Sequence, residues 1–220
     1  MAEQTDKFTW NDDDFDRLFA HPLLSYFGPA RPSWRRILVI GQEPDTDQRM
    51  GTHAGPYDLP SGRHTSFWIL SHKAIGRASG FGDWLRNAAI QCGSSPIVYS
   101  DASPASHAVG KDALPRPTVT DAELRQHAHD LLVLPEALAC PVVIISGRKP
   151  QFAAFYDLAE EGFRAAGTVM VDVPFFGFAR GATADALRKP LEAVDVQPLI
   201  HDCVAEWAAA NGLKFPASVG

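Results

Sequence analysis

The sequence predicts an α/β protein, a three-layer α/β/α sandwich around a central four-stranded parallel sheet. Three observations carry that expectation. Four short apolar runs, Arg36–Ile40, Ile97–Tyr99, Val142–Ile145 and Thr168–Val173, are rich in Val and Ile and lack the polar alternation of a half-solvated strand. Each of them except the last is stopped by Gly or Ser, and the last by Pro174 with Gly177 behind it. Between them lie segments with helical spacing, so strands and helices alternate, the pattern of a parallel sheet covered on both faces.

The elements follow in order. Trp10 to Phe27 reads as an amphipathic helix, with Asn11 as cap, acids in the first turn and Phe15, Leu18 and Phe19 on one face. Pro29 and Pro32 end it, and the first strand runs to Gly41. Residues 41–66 read as one long loop, dominated by Gly, Pro, Asp, Thr and His, and so long a loop in a compact domain tends to be functional. Phe67 to Ala78 is expected to be helical, with Gly76, Gly80 and Gly82 as a stop and turn. The second strand, Ile97–Tyr99, opens another loop through Pro117. Thr120 and Glu123 have capping-box spacing and start a helix expected to reach about Ala139. The third strand ends at Ser146-Gly147, a helix covers 150–165, the fourth strand follows, and helices over about 182–189 and 197–210 finish the chain.

With 220 residues, 45% of them hydrophobic, the chain can bury one sizeable core, and 1–220 is expected to form a single domain. A formal net charge of -6 excludes a uniformly basic coat; it leaves room for a local basic rim, and Arg31, Arg35, Arg36, Arg63, Lys73, Arg77, Arg148, Lys149, Arg180, Arg188 and Lys189 gather near candidate loops. Cys92, Cys140 and Cys203 are three distant cysteines, expected to be buried free thiols of a reducing compartment. Residues 1–10 are polar and no apolar run is long enough to span a bilayer, so a cytoplasmic, non-membrane, monomeric protein is expected. His53 and His64 share the long loop with Asp45, Asp47 and Asp58, but no ligand spacing supports a metal site, and no cofactor is expected. No phosphate-binding G-x-x-x-x-G-K-[ST] loop and no G-x-S-x-G elbow occur, which argues against P-loop hydrolases and α/β-hydrolases.

In parallel sheets ligands bind beyond the carboxyl ends of the strands, so function is expected in the loops that begin at Gly41, Ser100, Ser146 and Pro174. In the first of these, Gly41-Gln42-Glu43-Pro44, Gly permits a sharp turn and Pro fixes the exit, which aims Gln42 and Glu43 at the crevice. A carboxylate there can orient water, accept its proton or stabilise a nearby cation; the same residues also suit a plain strand-ending turn with a solvated Glu.

An apolar strand followed by Gly-Gln-Glu-Pro resembles the first motif of the uracil-DNA glycosylase superfamily. The likeness extends over about residues 35 to 190. Gly51-Thr52 and then Thr65-Ser66-Phe67-Trp68 are similar to the mismatch-specific uracil/thymine branch, Ser100-Asp101 follows the strand of a third pocket segment, and Ser146-Gly147-Arg148-Lys149-Pro150-Gln151 resembles the junction before the penultimate helix. The resemblance implies removal of uracil from DNA by base flipping and hydrolysis of the N-glycosidic bond, as in base excision repair. On it, Glu43 positions water and balances the sugar cation, Gln42 offers its backbone to the base, Phe67 stacks on the flipped base, and Ser100 or Asp101 touches the pyrimidine edge. Read from the residues alone, Phe67 equally suits a core aromatic, and Ser100 and Asp101 a cap or turn.

The last motif departs from the pattern. The family reads His-Pro-Ser or Asn-Pro-Ser there, and this chain reads Val173-Pro174-Phe175, which removes the usual donor to the departing base. Arg180, His53, His64 or backbone N–H groups are the candidate substitutes, and Asp45 stands where the uracil-specific branch carries a Tyr screen. Pro174, Phe175, Phe176 and Phe178 form either a loop folded onto the core or an apolar wedge for the DNA stack, with Arg148, Lys149 and Arg180 on phosphates. Two alternatives stay open: a catalytically inactive nucleic-acid-binding module on the same fold, and a small-nucleoside glycosidase.

Overall fold

The computed structural model describes residues 23–29, 31–43, 45–47, 71–105, 107–109, 118–175 and 184–216, with 45–47, 107–109, 184 and 185 as backbone alone. In chain order these hold strand β1 (Ser25–Tyr26), β2 (Ile37–Gly41), β3 (Asp45–Asp47), helix α1 (71–78), α2 (Trp84–Cys92), β4 (Ile97–Asp101), β5 (His107–Val109), α3 (Asp121–Leu132), α4 (Pro135–Leu138), β6 (Val142–Ser146), a 3-10 turn (Pro150–Phe152), α5 (Ala153–Ala165), β7 (Val169–Val173), α6 (Ala184–Ala193) and α7 (Gln197–Ala210). None of these helices is long and apolar enough to cross a membrane.

The main sheet has five strands in the order β1-β4-β2-β6-β7. The four expected strands are all present and parallel, with β2 in the middle, paired to β4 on one side and β6 on the other. The fifth is a correction to the sequence reading. Ser25 and Tyr26, placed by periodicity at the end of the first helix, instead pair antiparallel with Tyr99 and Val98. The outer edge of β4 needs hydrogen-bond partners, and this extended segment supplies them while burying Leu24, Tyr26 and Phe27. The earlier part of that expected helix, 10–22, lies outside the described residues.

Alternation along the strands divides the core. Ile37, Val39, Ile97, Tyr99, Val142 and Ile144 face α1, α2, α6 and α7, where Ile75, Leu85, Leu187 and Trp207 are buried against them. Leu38, Ile40, Val98, Val143 and Ile145 face α3, α4 and α5, meeting Leu131, Phe155, Tyr156 and Phe163. Both faces are thus covered, which is why the strands read as continuous apolar runs.

Other boundaries follow local chemistry. Thr120 caps α3 as expected, its hydroxyl accepting from the Glu123 amide while the Glu123 carboxylate accepts from the Thr120 amide. The helix expected to reach Ala139 breaks at Val133-Leu134, because Pro135 disfavours helical geometry in the residue before it and resumes the chain as the first residue of α4. Helix α2 was not expected at all. It follows a glycine turn in which the Gly76 carbonyl accepts from Phe81 and Gly82, and a Cβ on Gly76 would lie 2.4 Å from the Gly82 carbonyl oxygen. The loop expected over 41–66 is interrupted by β3, which pairs in parallel with β5, Asp45 opposite His107.

At the amino end of the sheet, Arg36 is buried between Tyr26 and Trp34, 5.2 and 5.8 Å from their ring centres, and its Nη2 donates to the Pro29 carbonyl at 2.6 Å. Burial lowers its pKa to about 10. Arg35 binds Glu206 and Asp202, and Arg31 binds Glu136. These three cations, read from sequence as part of a rim near the strand-end loops, belong to the opposite end of the molecule.

All three cysteines are free, Cys140 and Cys203 buried and Cys92 half-buried. Burial pushes the Cys140 and Cys203 thiols up from 9.0 to about 12. The folded state therefore holds these protons where the unfolded chain has released them, so their contribution is complete below pH 9 and declines as pH rises toward 12. Urea titrations from pH 8 to 11 are expected to give a falling unfolding free energy above pH 9. The fall should be shallower in a Cys140→Ala/Cys203→Ala variant; the same slope in both proteins would rule out this linkage.

A candidate active site at the carboxyl ends of the strands

The loops leaving β2, β4, β6 and β7 are joined to one another by short-range bonds. Beyond Gly41, the backbone turns so that Ala102 N donates to the Gly41 carbonyl at 3.2 Å and Ser103 N to the Gln42 carbonyl at 3.0 Å. The loops after β2 and β4 are in this way stitched side by side. Gln42 reaches the other way with its side chain, Nε2 donating to the Gly147 carbonyl at 2.7 Å. Gly147 N in turn donates to the Val173 carbonyl at 2.8 Å, which brings in the end of β7.

Gly147 is the common point of three of these loops. Its φ is +70°, in the left-handed region that disfavours a side chain, and a Cβ there would lie 2.6 Å from Phe175 Cβ and 2.7 Å from Gln42 Nε2. A side chain at this position would be strained and would force Phe175 and Gln42 to shift. The chain then turns so that Lys149 points toward β2.

Glu43 and Lys149 meet across this turn, Nζ 3.1 Å from Oε1. The Glu43 side chain is only 11% exposed and that of Lys149 26%, so the pair sits largely out of bulk water, where charge–charge attraction is stronger than on a surface. Lys149 Nζ also lies 5.9 Å from the centre of the Phe152 ring. Beside the pair opens a cavity of about 250 Å³ lined by Glu43, Ser103, Ala105, Thr118, Val119, Gln151 and Phe152. This is just under the range of about 300–1,000 Å³ for pockets that take drug-sized ligands, and suits one small ring better than an extended cofactor. The lining mixes a carboxylate, two hydroxyls, an amide and an aromatic face.

The expected site residues divide into three groups. Glu43, Gln42 and Lys149 come together at the crevice. Ser100, Asp101 and Arg148 are described and make the following contacts. Ser100 Oγ donates to the Leu23 carbonyl at 2.8 Å and so ties β4 to the segment that leads into β1. The Asp101 carbonyl accepts from His127 Nε2 at 2.9 Å, and burial holds the His127 pKa below its usual value. Arg148 lies over the Tyr156 ring at 4.7 Å, bound to Asp172 at 3.1 Å and to Glu160. Pro174 and Phe175 leave the end of β7 beside Gly147, and Phe175 is 43% exposed. Asp45 is described as backbone only, within β3. Phe67, His53, His64, Phe176, Phe178 and Arg180 lie outside the described residues. Among the described residues no group of three or more His, Cys, Asp or Glu side chains could hold a metal ion.

Sequence reasoning missed Ser103, Gln151 and Phe152 in the cavity wall. Ser103 Oγ accepts from Ala105 N at 3.2 Å and donates to the Ala105 carbonyl at 3.4 Å, a local turn that holds it at the wall. Phe152 ends the 3-10 turn that precedes α5, and the available signal was Pro150 at the start of that turn, which fixes where the helix begins.

Gly147→Ala is expected to destabilise the fold by about 1–3 kcal/mol, from the positive φ and the approach to Phe175, in chemical denaturation. A variant within about 0.5 kcal/mol of the parent, the usual spread of surface substitutions, would contradict the convergence described at this residue.

No family model matches the chain, and no curated protein matches it in sequence.

Proposed function

We propose that this crevice hydrolyses the N-glycosidic bond of deoxyuridine in DNA, releasing uracil, and that the protein works as a cytoplasmic monomer in base excision repair. The observation that carries this reading is the Glu43 carboxylate, 11% exposed, at the carboxyl end of the central strand and in the wall of a cavity sized for one small ring. The resemblance of Gly41-Gln42-Glu43-Pro44, Phe67-Trp68 and Ser146–Gln151 to the uracil-DNA glycosylase superfamily supports the same chemistry.

Cleavage of an N-glycosidic bond leaves positive charge on the sugar. A carboxylate already fixed near that charge stabilises it without the cost of reorganising solvent, and it can guide a water to the sugar carbon and take its proton. Glu43 is suited to both roles because Gln42 and Ser103 hold its backbone between two loops. The base must first leave the stack, at a cost of roughly a few kcal/mol, and an apolar side chain inserted in its place offsets part of that cost. Phe175, exposed at the rim, is the described residue suited to that insertion.

A second reading, cleavage of a free nucleoside, draws on the state of two cations. Arg148 and Lys149, assigned by sequence to phosphates, are engaged by Glu160, Asp172 and Glu43. Duplex binding whose affinity falls steeply with salt favours the DNA reading, since each phosphate contact releases counterions.

The direct test is an oligonucleotide with one uracil, paired with adenine, paired with guanine, or unpaired. Free uracil is expected as product, and Glu43→Gln is expected to lower turnover by roughly two to four decades while melting within a few degrees of the parent. Full turnover in a folded Glu43→Gln protein would falsify the role given to the carboxylate.

A further inference from the structure

Lys149, expected from sequence on a phosphate, lies instead on Glu43, Nζ 3.1 Å from Oε1. Glu43 lines the cavity and Lys149 does not. Whatever Lys149 contributes inside the cavity is therefore passed on by the carboxylate it holds. A glutamate side chain has several torsions and, left to itself, spreads its carboxylate over a set of rotamers. The bonds of Gln42 to Gly147 and Ser103 fix where that side chain starts, not where it ends.

The partner at its end is itself held. Lys149 has an extended backbone, φ -106° and ψ 133°, between Gly147 and the 3-10 turn that Pro150 begins, and its carbonyl accepts from Phe152 N at 3.0 Å. Its ammonium lies 5.9 Å from the Phe152 ring centre, within reach of the attraction between a cation and an aromatic ring. With 11% of the Glu43 side chain and 26% of the Lys149 side chain exposed, the pair is screened less than a surface salt bridge, and each charge offsets part of the cost of burying the other.

Resting on the reading given under Proposed function, we infer that Lys149 is a positioning residue: it holds the Glu43 carboxylate in one orientation in the cavity wall before substrate arrives, and it does not grip the DNA. A carboxylate that must meet a water and a developing sugar cation has to be in place at that moment, and a misplacement of about 1 Å costs about a hundredfold in rate. Lys149 on this assignment serves turnover rather than affinity, and serves it only through Glu43.

A double-mutant cycle tests both halves. Single-turnover release of uracil, duplex affinity as a function of salt, and thermal melting are measured for the parent, Lys149→Met, Lys149→Arg, Glu43→Gln and the Glu43→Gln/Lys149→Met double variant. Lys149→Met is expected to lose about 10²-fold in rate. Its affinity for a uracil-containing duplex, and the slope of that affinity against salt, are expected to match those of the parent. Lys149→Arg, which can still pair with a carboxylate, is expected to recover most of the rate. In the Glu43→Gln background the Lys149→Met change is expected to alter the rate by no more than about twofold, because the group through which Lys149 acts is already gone. Should Lys149→Met not fold, Lys149→Gln replaces it in the same cycle, with the same expectations. A rate loss in the Glu43→Gln background equal to that in the parent overturns the assignment. So does weaker, less salt-dependent binding in Lys149→Met, the mark of a lost phosphate contact. A Lys149→Arg protein that folds yet loses as much as Lys149→Met overturns it too. A parent that releases no uracil overturns the glycosylase reading and this inference with it, whereas a parent that releases uracil and gives an additive cycle removes this inference alone.

Discussion

The arrangement of the strand ends depends on one residue without a side chain. The loops after β2 and β7 approach Gly147, which opens the loop after β6, closely enough that a single added carbon would collide with both. Hydrogen bonds alone would leave these loops room to adjust, since each contributes only about 0.5–1.5 kcal/mol net. Close packing of the Gly147 backbone against Phe175 and the Gln42 side chain leaves less. The Gln42 amide on one side and the Val173 carbonyl on the other are drawn to the same point, and Lys149 follows two residues later in a direction the chain has little freedom to change. The position of the ammonium relative to Glu43 is in this sense a by-product of how tightly the loops meet.

The two ends of the sheet use charge differently. At the amino end, Arg36 is stacked between aromatic rings with its Nη2 on a carbonyl, and Arg35 and Arg31 are paired with carboxylates of α7 and α4. These contacts fasten the segment before β2 to the layers around it. At the carboxyl end, Arg148 closes the edge of the sheet by joining α5 to β7 through Glu160 and Asp172. Glu43, paired with Lys149, lines the cavity between the loops after β2 and β4 and the start of α5. An acidic protein of net charge -6 with most described arginines already engaged concentrates what chemistry it has in a small volume.

Much of the architecture was legible because three of the four parallel strands, β2, β4 and β6, are buried on both faces, so their composition is uniform and needs no periodicity to recognise. The strand Ser25–Tyr26 was not legible, because two residues make no pattern and their pairing with Tyr99 and Val98 is a demand of the sheet rather than of the local sequence. Glu43 could be singled out because a Gly-to-Pro turn after a buried strand has few places to aim a side chain. Lys149 was singled out for phosphates, but its pairing with Glu43 was not legible, since the two are separated by 106 positions. Ser103 was not legible for a related reason: Ser100 lies within β4, where its hydroxyl serves the neighbouring segment at Leu23, whereas Ser103, two residues after that strand, lines the cavity.

The short ribbon formed by β3 and β5 has its own consequence. Its rungs connect residues that depart from adjacent strands, 45–47 after β2 and 107–109 after β4. A parallel ladder of three rungs couples the excursions of two otherwise separate connections into one mechanical panel. An insertion between β2 and β3, or between β4 and β5, would therefore have to bulge out of its connection or break the rungs that tie the two together.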